Sequence, residues 1–63
     1  MKGKVKFFNR EQEFGFIIGD DGKEYFVHKS GLQDDLTIDK NDLVEFSLEK
    51  GDKGLKAVKV IKV

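Results

Sequence analysis

Residues 13–30 read EFGFIIGDDGKEYFVHKS, and this stretch decides the fold. Two apolar runs flank the sequence GDDG, whose aspartates and glycines suit a tight hairpin turn because they tolerate positive φ. Side chains of a strand alternate between its two faces, so runs of this composition predict two paired β-strands. The stretch also holds four of the chain's seven aromatic residues and its single histidine.

The same period of two continues on both sides of this hairpin. We predict five strands in all, over residues 3–9, 14–19, 23–29, 43–50 and 55–63. The sequences REQE, GDDG and GDKG are predicted turns, and residues 30–42 are predicted to be irregular, with one short helical turn. No segment sustains the 3.6-residue period of an amphipathic helix, so the chain is predicted to be all-β.

The length of 63 residues limits how these strands can pack. A chain this short buries only roughly 60% of its unfolded surface. Closing the sheet on itself turns one face inward and removes most edges, so we predict a five-stranded antiparallel OB-fold barrel. The predicted core takes inward-facing apolar side chains from all five strands: Val5, Ile17, Val27, Val44, Phe46, Leu48, Val58 and Val60.

Composition excludes several classes of protein. The chain has no cysteine, which rules out a disulfide and a thiolate metal site. No apolar run approaches the ~20 residues of a membrane span, and the N-terminal MKGKVKFFNR lacks the apolar core of a signal peptide. We therefore expect a cytoplasmic protein that does not contact a membrane.

The charge balance gives a mixed signal about partners. Twelve basic and twelve acidic side chains give a net charge of zero, which by itself argues against nucleic-acid binding. The charges are nevertheless sorted along the chain: residues 1–10 and 50–63 are mainly basic, and residues 34–42 are mainly acidic. Solvated strand faces would account for this sorting as well as a basic binding surface would.

Strand alternation places the aromatic side chains of the second and third strands opposite Ile17 and Val27. One interpretation inverts the two faces and makes these phenylalanines the core, since phenylalanine is usually buried. Inversion would also bury Glu24 and His28, and an unpaired group that can carry charge costs several kcal/mol to bury. The other interpretation is a stacking platform in water, where an aromatic ring contributes ~1–3 kcal/mol per nucleobase. The side chains in question are Phe14, Phe16, Phe26 and His28.

Three motifs in this order resemble the bacterial cold-shock protein family. They are GKVKFFN (3–9), FGFI (14–17) and FVH (26–28), and the last two fall on the family's two ribonucleoprotein motifs. The resemblance covers essentially the whole chain, so residues 1–63 are expected to form a single cold-shock-like OB-fold domain. It implies a protein that binds single-stranded RNA and DNA, acts as an RNA chaperone, and influences transcription or translation at low temperature.

The resemblance also implies a binding surface. Phe7 and Phe8 are both part of the family's surface, yet strict alternation puts them on opposite faces, so the resemblance further suggests a β-bulge in the first strand. Lys53 lies where the family's late turn often carries a basic residue. The expected nucleic-acid-binding set is Lys6, Phe7, Phe8, Phe14, Phe16, Phe26, His28, Lys29 and Lys53.

This sequence departs from the family pattern at several of these positions. Phe7 replaces a tryptophan, and Lys29 replaces an aromatic residue. The usual Lys-Gly before the second strand is Gln12-Glu13, which brings a negative charge beside the platform. The long loop lacks the family's further phenylalanine. These changes are expected to weaken binding, while Ile18 widens the apolar face.

Other chemistry finds little support in the sequence. A lone histidine without cysteine partners does not form a zinc site, and the paired aspartates at 20–21 and 34–35 lack the spacing of a calcium loop. We expect no enzymatic activity, metal, cofactor or small-molecule substrate, and we expect a monomer. The alternative function is a protein-interaction module whose apolar face docks a partner protein or a second copy.

Overall fold

Five strands close into a barrel in the computed structural model of the chain, which describes residues 1–33, 36–51 and 54–63. Each observed strand boundary lies within one residue of the sequence-based prediction, and a short 3₁₀ turn follows the third strand. The elements are β1 (Lys2–Asn9), β2 (Phe14–Gly19), β3 (Glu24–His28), the 3₁₀ turn (Lys29–Gly31), β4 (Leu43–Gly51) and β5 (Gly54–Lys62).

The strands follow the order β1-β2-β3-β5-β4 around the barrel, and β4 pairs with β1 to close it. The all-β, five-stranded barrel prediction is therefore confirmed. The prediction that every pairing is antiparallel is wrong, because β3 and β5 run parallel. Strand directions can alternate all the way around a closed ring only if the number of strands is even. Five strands therefore require a parallel pair.

The barrel interior is filled mainly by aliphatic side chains. Two rings join them: Tyr25 and Phe46 pack with their centroids 5.9 Å apart. The confirmed members of the predicted core are Val5, Ile17, Val27, Val44, Phe46 and Val60, and the structure adds Tyr25, Ile38 and Ala57. Leu48 is only partly buried and packs against this core.

Val58 differs from the prediction because β5 carries an irregularity. Between the pairs Glu45–Ile61 and Ser47–Val58, β5 contains one residue more than β4. Lys59 takes up the extra length with a φ of 53°. The inward set therefore changes phase along β5: Ala57 and Val60 are buried, and Val58 is half-buried.

The long loop before β4 docks on β1 and supplies a core residue. The Val5 amide donates to the Asp42 carbonyl oxygen at 2.9 Å, and the Asn41 amide donates to the Val5 carbonyl oxygen at 2.8 Å. The Asp42 carboxylate also accepts from the Asp39 amide at 2.8 Å. These bonds hold residues 39–42 against β1, and Ile38, which precedes them, is buried in the core.

The turn between β2 and β3 is held by a hydrogen-bonded carboxylate. Asp21 accepts from the Lys23 amide at 3.0 Å and from the Tyr25 hydroxyl. The Tyr25 bond, and then the Lys23 amide, lower the pKa of Asp21 below its ordinary 3.8, while the same Asp21 bond raises the pKa of Tyr25 above 10.0. The stabilisation by this pair is therefore complete between those ordinary values. It is lost in acid as Asp21 is protonated, and in alkali as Tyr25 ionises.

The turn between β1 and β2 contains a residue in the left-handed region. The side-chain oxygen of Asn9 caps this turn by accepting from the amides of Glu11 at 2.9 Å and Gln12 at 3.1 Å. Glu13, at the end of the turn, has a φ of 63°, and its carbonyl oxygen accepts from the Lys29 amide at 2.8 Å. A residue with a Cβ atom pays about 1–2 kcal/mol for this conformation, which glycine adopts freely.

We therefore predict that Glu13→Gly raises the free energy of unfolding by about 1 kcal/mol, because it removes this backbone strain. Glu13→Ala is the matched control, since it removes the same charge and keeps the Cβ atom. Thermal and urea unfolding of the two variants distinguish the effects. Equal stabilities of the Gly and Ala variants would contradict the prediction.

Candidate nucleic-acid interface

Four phenylalanine rings form a connected cluster on the outer face of β1, β2 and β3, which we call the aromatic platform. Phe16 contacts Phe7 edge-on at 5.6 Å between centroids, and contacts Phe26 in the same manner at 5.9 Å. Phe14 stacks on Phe26 at 5.8 Å with 28° between the planes. Phe7 and Phe26 remain 39% and 37% exposed, and Phe14 and Phe16 are half-buried.

This arrangement settles which face of the hairpin is inside. Ile17, Tyr25 and Val27 are buried, while Phe26 and His28 on the alternate positions of β3 are exposed. The predicted orientation of the two faces is confirmed, and the inverted interpretation is wrong. Ring pairs of this kind contribute about 0.5–1.5 kcal/mol beyond their buried area. These contacts hold the rings against one another in the unliganded protein.

The expected β-bulge in β1 is present, and it brings Phe7 to the platform. The register shifts between Val5, opposite Ile17, and Phe7, opposite Phe16. Without the extra residue, Val5 and Phe7 would lie on the same face. The bulge does not unite Phe7 and Phe8 on one face.

Phe8 instead lies opposite the buried Gly15, where a Cβ atom would clash with the Phe7 carbonyl oxygen and with the Phe8 backbone and ring. It packs against the core and lines a separate groove of about 380 Å³ beside the platform. The other residues that line this groove are Arg10, Glu13, Lys29, Leu32, Leu36 and Thr37.

His28 extends the outer face of β3 beyond Phe26 and lies across from Phe14. Its Nδ1 accepts from the Ser30 amide at 3.1 Å, so the ring caps the 3₁₀ turn. A neutral imidazole that accepts at Nδ1 carries its proton on Nε2. The outer nitrogen of His28 is therefore a hydrogen-bond donor beside the platform.

Two lysines beside the platform are engaged by carboxylates of the same chain. Lys6, on the bulge, forms an ion pair with Glu24 at the start of β3. Lys29 lies 3.9 Å from the Glu13 carboxylate. Both pairs are exposed, and such pairs contribute only about 0–1 kcal/mol. Their effect on a ligand is larger than their effect on stability, because a phosphate must compete with a carboxylate for each cation.

The remaining observations concern Arg10, Lys53, metal ligands and membrane-spanning helices. Arg10 forms an ion pair with Asp39 at 2.6 Å, away from the four rings. Lys53, a predicted site residue, lies outside the described residues. In the described part of the chain, no group of three or more histidine or acidic side chains is placed to hold a metal ion. No helix within residues 1–33, 36–51 and 54–63 is long and apolar enough to cross a membrane.

Sequence reasoning missed the role of Glu24 at this site. The alternation of β3 placed its side chain on the same face as Phe26, which was the available signal. Its partner could not be identified, because Lys6 reaches Glu24 from a bulge whose position the sequence pattern does not reveal.

A barrel of five strands with exposed rings on adjacent strands and basic side chains around them defines a class of single-strand-binding OB-type proteins. The model of the 'Cold-shock' DNA-binding domain family matches residues 1–63. The chain belongs to the cold-shock domain family, a family that binds nucleic acid rather than catalysing reactions. The resemblance inferred from the three motifs is confirmed, and the protein-docking alternative is not favoured.

Several named proteins are similar to this chain along most of its length. Cold shock-like protein CspC of Bacillus cereus is 42% identical over 65 aligned positions that cover 100% of both chains. Cold shock-like protein CspG of Escherichia coli K12 is 45% identical over 97% of this chain and 91% of its own. Cold shock-like protein CspJ of Salmonella typhimurium is 50% identical, with coverage of 94% and 89%.

A solved structure is similar in fold. The structure titled drosophila Unr CSD456 superposes with a TM-score of 0.79 and 23% sequence identity. The match covers 98% of this chain and 26% of that one. At this level of identity the comparison supports the barrel alone.

The Lys6–Glu24 pair leads to a prediction about affinity. Glu24→Gln releases Lys6 and removes a negative charge beside the platform, so single-stranded oligonucleotides should bind up to about 1 kcal/mol more tightly at low ionic strength. The slope of log K against log salt should steepen by about 0.7, as expected for one additional phosphate contact. Fluorescence titrations at several salt concentrations measure both quantities.

The control is a double-mutant cycle with Lys6→Gln. In that background Glu24→Gln should give a much smaller gain, because no lysine is released. An equal gain in both backgrounds would show that Glu24 acts by general repulsion and not through Lys6.

Proposed function

We propose that this protein binds single strands of RNA and DNA by stacking their bases on the aromatic platform formed by Phe7, Phe14, Phe16 and Phe26. The observation that carries the proposal is a chain of four phenylalanine rings, each in contact with the next, on the solvent-facing side of a barrel whose core is formed by other side chains. Every nucleobase has a π-face, so such a surface accepts any sequence. A base paired in a duplex does not offer that face, which favours single strands.

The polar groups around the rings have supporting roles in this proposal. Nε2 of His28 donates to an acceptor on a base, and Lys6 and Lys29 contact phosphates once these displace Glu24 and Glu13. Phe8 supports the end of the strand's path from its neighbouring groove. Lys53 belongs to the proposed site by sequence position alone.

At the level of the cell, we propose an RNA chaperone of the cold-shock type that regulates transcription or translation. Weak, sequence-tolerant stacking suits this role, because a chaperone must release each strand after keeping it unpaired. Residues 1–63 act as one domain and as a monomer in the cytoplasm. The proposed activity is binding, with no catalytic step, cofactor or small-molecule substrate.

The direct test is alanine substitution of each platform ring, with binding and stability measured on the same variants. The four variants Phe7→Ala, Phe14→Ala, Phe16→Ala and Phe26→Ala should each lose about 1–3 kcal/mol of affinity for oligothymidine and oligouridine. Each should still unfold cooperatively, with a melting temperature lowered only by the loss of one or two ring pairs, because the core is unchanged. Fluorescence titration and thermal melts provide the two readouts.

Two control variants are measured beside the platform variants. Ile61→Ala removes an exposed apolar side chain of β5, a strand that carries none of the four rings, and should change neither readout. Phe46→Ala removes a ring that is 2% exposed and should cost about 3–5 kcal/mol of stability, enough to unfold a domain of this size. Platform variants that fold normally and bind at full strength would reject the proposal.

A further inference from the structure

An apolar groove lies on the barrel surface beside the aromatic platform, with a volume of about 490 Å³. This volume falls within the roughly 300–1,000 Å³ range of small-ligand pockets. Ile18, Leu43 and Val63 supply its exposed apolar side chains, and they are 38%, 60% and 69% exposed. Exposed aliphatic side chains grouped in this way are unusual in so small a protein and point to a contact surface.

The groove continues directly from the platform. Ile18 and Phe16 are alternate residues of β2, so both side chains project from its outer face about 7 Å apart along the strand. Ile18 lies opposite Lys4 of β1, and Lys4 lies opposite Leu43 of β4. A strip from Phe16 through Ile18 and Lys4 to Leu43 therefore crosses three strands of the same outer surface.

The charges around the groove favour a negatively charged ligand. Lys2 and Lys4 both line it, and neither forms an ion pair with a described residue, in contrast to Lys6 and Lys29. Asp20 stands at one rim, so the phosphate side of a ligand would face Lys4 rather than Asp20. The groove therefore offers a phosphate two lysines that no described carboxylate neutralises.

A second copy of the chain fits this surface poorly. A two-fold interface would bring Lys2 and Lys4 of both copies together, with repulsion between like charges. An ordinary interface also buries about 800 Å² per partner, nearly a fifth of the 4453 Å² surface of this protein. Three small aliphatic side chains do not provide that area.

We propose that the groove is an additional nucleotide subsite, in which a base packs on Ile18 and Leu43 and the adjoining phosphate contacts Lys4. This inference rests on the proposed function, because the nucleotide belongs to the same single strand that stacks on the platform. It makes the binding track one nucleotide longer than the aromatic rings alone provide. It also assigns the main phosphate contact to a lysine outside the four-ring cluster.

The test is a series of oligothymidines lengthened one nucleotide at a time, titrated against the parent protein, Ile18→Ser and Leu43→Ser. Affinity of the parent should rise with length until the groove is filled and then level off. Each variant should match the parent on the shortest oligonucleotides that bind, and lose about three- to tenfold in affinity on the longer ones, equivalent to the lost packing of one base. Lys4→Gln should lower the salt slope by about 0.7 on the longer oligonucleotides only.

Leu55→Ser is the matched control. Leu55 is also an exposed leucine of the β4–β5 hairpin, but it lies at the opposite end of that hairpin from Leu43. Its substitution should leave the whole length series unchanged. Thermal melts confirm that every variant is folded.

The possible results of this titration distinguish the additional subsite from the proposed function of the platform. Failure of the parent protein to bind any oligonucleotide would reject the proposed function, and the subsite with it. Normal binding with identical length profiles for the parent, Ile18→Ser and Leu43→Ser would reject the subsite and leave the platform in place. Self-association in sedimentation that is lost in Leu43→Ser would assign the groove to a second copy and overturn the inference.

Discussion

The filling of the barrel interior, mainly by aliphatic side chains, is the constraint on which the rest of the structure depends. Val5, Ile17, Val27, Val44 and Val60 are fully buried, and Ile38, Ala57, Tyr25 and Phe46 complete the core. Additional aromatic side chains must therefore lie outside. A chain of this length needs most of its apolar side chains for the core, so four phenylalanines in contact with water indicate a binding surface.

The electrostatics of this surface follow from the neutral composition. Acidic partners from the same chain engage two of the cations near the rings, in the Lys6–Glu24 and Lys29–Glu13 pairs. Glu13 and Lys29 both depart from the family pattern, and in the structure their side chains form an ion pair with each other. Exposed ion pairs of this kind are weak, so a phosphate can displace the carboxylate at small cost, but the net gain in binding is small as well. The proposed binding therefore depends mainly on stacking.

Much of this structure could be predicted from the sequence, because a period of two determines both the strands and their faces. The bounds of the strands, the inward set from β1 to β4 and the aromatic outer face all follow from it. A bulge interrupts the alternation of a strand, and no residue type in the sequence marks its position. The outward orientation of Phe7 and the half-burial of Val58 therefore could not be predicted from the alternation. Ile38 lies in an irregular segment that has no period. The ion pair of Glu24 depends on tertiary placement, whereas the parallel pairing of β3 and β5 could have been deduced from the odd number of strands.

The central claim is that aromatic stacking, and not charge, supplies most of the affinity for single strands. The most direct measurement is the salt dependence of oligouridine binding by the unmodified protein. Each neutralised phosphate contributes a slope of about −0.7 in log K against log salt, so one to three effective contacts predict a slope between about −0.7 and −2. Substantial affinity should persist at high salt. A slope steeper than about −4, with binding abolished at high salt, would show that charge dominates and would contradict the account.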